Sequence, residues 1–167
     1  LDGIRKEIRG FEANAAKFLK EFRANGPFHW IADVNQIRDA YIGLDKYQHQ
    51  LTELISRSQQ LRELEDLFEL PLSQYTLLDE IKEDLRNLKT TWDVVFLVHS
   101  LFVQWKNTLW AEIKTDDLVD EVRRLQGQIK KLPRKSKDWH VTKNLETYVK
   151  NMHTVLPLVH ELHSPAM

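Results

Sequence analysis

Apolar side chains fall at alternating spacings of three and four along most of the chain, the pattern of helices packed on helices. The first series is Ile4, Ile8, Phe11, Ala15, Phe18 and Phe22. It stops at Gly26 and Pro27, a pair that ends a helix and starts a turn. A second series runs Val34, Ile37, Tyr41, Leu44, Gln48, Leu51 and Ile55, then continues less regularly through Leu61, Leu64 and Phe68 to Pro71. Gly43 inside it weakens the helix by about 1 kcal/mol relative to Ala without breaking it. The third series, Leu78, Ile81, Leu85, Leu88, Trp92, Val95, His99 and Phe102, predicts a helix opening near Ser73. At about 40 residues and 1.5 Å per residue it is the longest expected, roughly 60 Å.

Thr115 with Asp116 and Asp117 has the form of an N-cap followed by an acidic first turn, and Lys130 and Lys131 place cations at the opposite end before Pro133. These mark a short fourth helix. A fifth opens between Ser136 and Trp139, uses Leu145, Val149 and Met152, and is expected to kink or restart at Pro157. No segment alternates with period two, so no sheet is expected. The predicted fold is all-α: an elongated bundle of about five helices with spectrin-like long helices. Residues 1–113 hold three long helices and 114–167 the shorter ones. Gly26, Pro27, Pro71, Pro133 and Pro157 interrupt helical hydrogen bonding and are the candidate hinges.

Residues 91–110, TWDVVFLVHSLFVQWKNTLW, hold three of the five tryptophans on a run without a polar face. The apolar run is about ten residues, against roughly 20 for a membrane span. A helix apolar on so much of its circumference is expected to be wrapped by several neighbours. Trp92, Val95, His99, Phe102, Trp105 and Trp110, with Trp139, are therefore assigned to the core. His99 has no acid or nucleophile at helical spacing, so it reads as a core residue.

Formal net charge is −1, from 24 basic and 25 acidic residues, which offers no global attraction to nucleic acid or an anionic membrane. There is no cysteine, excluding a thiol nucleophile, an iron–sulfur site and a disulfide framework. His153, His160 and His163 share a helix face only if the helix runs unbroken through Pro157, and they read as packed or solvated histidines. Asp79, Glu80, Glu83 and Asp84, interleaved with Lys82 and Arg86, read as an exposed salt-bridged face. Lys130, Lys131, Arg134, Lys135 and Lys137 form the one positive run, a solvated interhelical loop or a contact for phosphate or an acidic partner. Neither Gly-rich phosphate-loop pattern occurs, so no catalytic, cofactor or metal site is assigned. Both ends read as cuts in a longer polypeptide, with no secretion signal at the first.

The order Trp92-Asp93, Trp105-Lys106, Trp110, Trp139, then Leu158, Leu162 and Pro165-Ala166-Met167 resembles the dynein heavy chain at the start of its linker region, of axonemal rather than cytoplasmic type. The last 80 or so residues carry the likeness; the first 90 are compatible helices. The resemblance implies a non-catalytic mechanical segment between the tail and a ring of AAA+ modules. ATP and Mg would be bound in that ring. Implied partners are the remainder of the heavy chain, other dynein subunits and, indirectly, microtubules, in the cytoskeleton of a cilium or flagellum. A spectrin-like protein-binding scaffold is the alternative.

Overall fold

A computed structural model describes residues 2–30, 34–107 and 115–162, with side chains for all of these except 34, 105–107, 115–118 and 155–162. Among the described residues there are five α-helices: α1 (Asp2–Asn25), α2 (Val34–Leu67), α3 (Thr76–Asn107), α4 (Thr115–Lys130) and α5 (His140–Leu162). A short 3-10 turn, Ser136–Asp138, precedes α5, and none of the described residues forms a strand. The fold class is all-α, as the spacing predicts. No helix among the described residues is long and apolar enough to cross a membrane.

The chain forms two compact units that interleave along the sequence, one of Leu1–Pro27 with Ala40–Arg86 and the other of Phe28–Asp39 with Asn87–Met167. The expected division at 113/114 followed chain order. The observed one does not, because α2 and α3 each contribute residues to both units.

In the first unit α1, α2 and α3 run up, down and up. Phe18 and Phe22 of α1 meet Tyr47 of α2 at ring separations of 5.9 and 5.1 Å. Phe11 meets Tyr75, at the start of α3, edge-on at 5.0 Å. The α1 stripe is Phe11, Ala15, Phe18, Leu19 and Phe22, and it ends where the Gly26 amide donates to the Phe22 carbonyl at 2.7 Å.

The buried stripe of α2 is Ile37, Ala40, Leu44, Tyr47, Leu51, Ser58, Leu61 and Glu65, so the expected stripe is corrected by one flank. Ile37, Leu44 and Leu51 are common to both registers. Tyr41 and Ile55 are half-buried and Gln48 is exposed, whereas Tyr47 takes the seam because the phenylalanines of α1 lie on its side. α2 passes through Gly43, around which a Cβ would meet nothing within 4 Å.

α2 stops at Leu67 instead of running to Pro71, and α3 opens at Thr76 instead of Ser73. One arrangement causes both. The Leu70 amide donates to the Glu65 carbonyl at 2.7 Å and the Glu69 amide to the Asp66 carbonyl at 3.1 Å, the paired closing bonds of a Schellman motif. Glu69 sits at the left-handed position, φ 57°, where glycine is the usual occupant. The Glu65 carboxylate, 2% exposed, then accepts the Ser73 amide and hydroxyl, each at 2.9 Å, and the Tyr75 hydroxyl at 3.4 Å. Ser73 is thereby held away from capping α3. Within the described residues α2, at 34 residues, exceeds α3, at 32.

In the second unit α4 packs on α5. Val122, Leu125, Ile129 and Leu132 are buried on and just after α4, and Val141, Leu145, Val149 and Met152 on α5. α5 continues as helix through Pro157 to Leu162, where a restart was one expectation. Proline in a helix interior removes one hydrogen bond and crowds the carbonyl four residues back, a local cost that the turns on either side can carry.

Candidate functional site

Of the residues assigned to the core, Trp92 and Val95 are fully buried. His99 and Phe102 are half-buried, and Phe102 meets Tyr148 edge-on at 5.9 Å. Trp139 is also half-buried, with its ring 5.2 Å from Phe28. The Trp105 side chain and Trp110 lie outside the described residues. The expectation that several neighbours wrap this part of α3 meets a bare side: Phe96, Leu97 and Val103 are exposed, at 51%, 46% and 39%. The seam here is Thr91, Trp92, Val94, Val95 and Val98, a stripe that neighbours can cover while the opposite side faces water.

The basic run forms a folded connection between α4 and α5. Lys130, Lys131, Arg134 and Lys135 are exposed and Lys137 half-buried, while Leu132 and Ser136 between them are buried. Successive backbone bonds, Leu132 to Ile129 at 3.1 Å and Ser136 to Pro133 at 3.0 Å, hold the loop. It presents ammonium and guanidinium groups from a shaped backbone, a surface that could meet an acidic partner.

The candidate hinges differ in setting. Gly26 and Pro27 are half-buried after α1, Pro71 is exposed in the turn pinned by Glu65, and Pro133 is exposed in the basic loop. Pro157 lies inside α5. The acidic group on α3 also divides. Asp84 is buried and lies 3.6 Å from Arg23, which also pairs with Glu80. Asp84 therefore belongs to the α1–α3 contact, a correction to the fully exposed face that the spacing predicts.

Sequence reasoning passed over the fifth tryptophan. Trp30 is 1% exposed and lies in the non-helical segment 28–30 that follows α1. Its amide donates to His140 Nδ1 at 3.3 Å, Asn144 Nδ2 donates to its carbonyl, and its ring lies 5.3 Å from Tyr148. One residue earlier, the His29 carbonyl accepts from Gln36 Nε2 at 2.7 Å. The Phe28 carbonyl accepts the Val141 amide at 2.8 Å. That amide is one of the first-turn donors that a helix leaves without an internal partner. Trp139, the residue before α5, has no side-chain acceptor to cap it, so the backbone of residue 28 supplies the cap. The only hint in the sequence is an aromatic pair, Phe28 and Trp30, in a loop where polar residues are usual.

Among the described residues no cluster of three or more metal-ligating side chains occurs. His153 is half-buried; the side chains of His160 and His163 lie outside the described residues. A surface cleft of about 280 Å³ is lined by Asn14, Lys17, Phe18, Glu21, Gln50, Glu53 and Leu54, residue types that bring no hydroxyl, thiol or imidazole nucleophile to it.

Residues 78–167, from the start of α3 onward, match the profile described as dynein heavy chain, N-terminal region 2. The chain belongs to the dynein heavy chain family. It is 34% identical over 169 residues to the dynein alpha chain of the flagellar outer arm of Chlamydomonas reinhardtii, with 99% of this chain covered. It is 34% identical over 174 residues, 98% of the chain, to the beta chain of the same arm. It is 31% identical over 164 residues, again 98% of the chain, to the dynein axonemal heavy chain 11 of Sus scrofa. This dynein heavy chain segment spans about 4% of the length of each of these relatives. The likeness thus extends over the first 90 residues too, beyond the tryptophan-rich half in which it is legible by eye.

Proposed function

We propose that this dynein heavy chain segment is a non-catalytic strut in the tail and linker region of a ciliary or flagellar motor, passing force between the tail and an ATP-hydrolysing AAA+ ring. ATP and Mg belong to that ring. The strut works alongside the rest of the heavy chain and other dynein subunits, and acts on microtubules only indirectly, in the axoneme. The observation that carries the reading is the continuity of α2 and α3, 34 and 32 residues, each with a close-packed seam. Close-packed interiors resist deformation, and an uninterrupted helix transmits load along its hydrogen-bonded axis. Bending is assigned to the interrupted joints, Gly26–Pro27 and Pro133 before Pro71, because the Glu65 bonds hold the Pro71 turn.

A second reading, a scaffold offering Lys130, Lys131, Arg134, Lys135 and Lys137 to an acidic protein, is favoured by the folded, exposed basic loop. The two are separated by inserting a flexible Gly-Ser segment after Arg86 in the full heavy chain. A strut predicts that microtubule gliding slows severalfold while ATP hydrolysis persists. Unchanged gliding with altered subunit composition would favour the scaffold.

A further inference from the structure

The turn between α2 and α3 exposes three large apolar side chains within six residues: Leu67 at 73%, Phe68 at 51% and Leu72 at 49%. Turns of this kind ordinarily carry polar residues, and grouped apolar side chains left in water mark an interaction surface. The same turn is held from within. Glu65 accepts from Ser73 twice and from Tyr75, the Schellman bonds close α2, and Pro71 fixes one backbone angle. A surface held this way loses little conformational entropy on binding.

Charge identifies the occupant. Between Arg62 and Lys82 there is no lysine or arginine and there are six acids; Glu65 is buried against Ser73 and Tyr75 and Glu80 pairs with Arg23, which leaves Glu63, Asp66, Glu69 and Asp79 as the exposed carboxylates. Glu63, Asp66 and Glu69 are exposed around the apolar group. Glu69 occupies a left-handed position, φ 57°, that glycine would fill without a steric cost. A carboxylate stands there against the backbone preference.

We propose that the α2–α3 turn is a docking knob for a basic amphipathic helix of another polypeptide, whose apolar stripe covers Leu67, Phe68 and Leu72 while flanking Lys and Arg meet Asp66 and Glu69. Such helices are read through apolar anchors at i, i+3 or i+4, and i+7, and the acidic rim repels anionic lipid. The knob is separate from force transmission, so gliding and ATP hydrolysis need not change when it is blocked.

Two measurements on the full heavy chain with its native subunits test it. In the first, a fluorescent 18-residue leucine–lysine helix is titrated by anisotropy, with a leucine–glutamate helix of the same pattern as control. The lysine helix is expected to bind, and to weaken at least about tenfold with Phe68→Asp and with the pair Asp66→Lys and Glu69→Lys, circular dichroism being unchanged. Equal binding of the glutamate helix, or of all variants, overturns the proposal. In the second, Phe68 is replaced by benzoylphenylalanine and the photo-crosslinked peptide is sequenced. A lysine- or arginine-rich helical segment of another polypeptide supports the knob. Capture of the heavy chain's own sequence, of a second copy or of lipid, or no cross-link at all, overturns it.

Discussion

In the first unit Phe18 and Phe22 close on Tyr47 of the next helix and Glu65 closes on Ser73 in the turn that follows its own helix, contacts made between segments that follow one another in the chain. In the second, Trp30 is held by His140 and Asn144 across separations of 110 and 114 residues. Both units bury one stripe of each helix, but the first does so by repeating a heptad along sequential helices. The second depends on the non-helical three-residue segment 28–30, which supplies a ring to the core and a carbonyl to a distant helix end. Regular seams distribute burial over many equivalent side chains, whereas a lock concentrates burial and hydrogen bonding in a few. Loss of one member of the lock therefore removes packing and a cap together.

The largest effect that would break this contrast is expected at Trp30. Trp30→Ala should destabilise the second unit by about 3–5 kcal/mol, read by urea denaturation. The Val141 amide should lose protection from hydrogen exchange as Phe28 is released. Retained protection would show that the cap does not depend on the indole. Glu65→Ala should cost about 1–3 kcal/mol, since the half-buried donors of Ser73 and Tyr75 lose their acceptor. The same variant should speed exchange in residues 68–75 while leaving Val141 untouched. Glu69→Gly should go the other way, raising stability by about 1 kcal/mol through relief of the left-handed backbone. A loss of stability there would mean that the Glu69 side chain makes a contact of its own.

The smallest effect appears at alkaline pH. Burial, foremost, raises the ionisation of Tyr47, Tyr75 and Tyr148 above the ordinary 10.0, aided by Glu21 at Tyr47 and by Glu65 at Tyr75. Above pH 10 the unfolded chain releases these protons before the folded one, so the folded state binds more protons and stability falls as pH rises. Their contribution is complete below pH 10 and disappears through the raised values. Absorbance titration at the phenolate band should show the three ionising later than denatured tyrosine, with weaker resistance to urea at pH 11 than at pH 9.

How far the residues alone could be read depended on where their partners lay. The α3 stripe from Leu78 to Val95 is legible because consecutive apolar residues at spacings of three and four admit one face. For α2 the residues admit two registers sharing Ile37, Leu44 and Leu51, and the choice belongs to Phe18 and Phe22. Glu69 gives no sign of a helix end, since side chains other than glycine rarely take the left-handed position. The order of residues from Trp92 through Trp139 to Leu158, Leu162 and Pro165-Ala166-Met167 carries the family resemblance, while the burial of Trp30 is not readable from its neighbours.

What the sequence determined by itself is the all-α class, most helix spans and the dynein likeness, because periodicity, caps and motif order are local properties of the chain. Which flank of α2 is buried, which side of α3 faces water and what caps α5 were decided only by the tertiary structure. Each of those depends on atoms supplied by a segment elsewhere in the chain, and a helix shows its apolar stripe in its own residues but not the neighbour that will cover it.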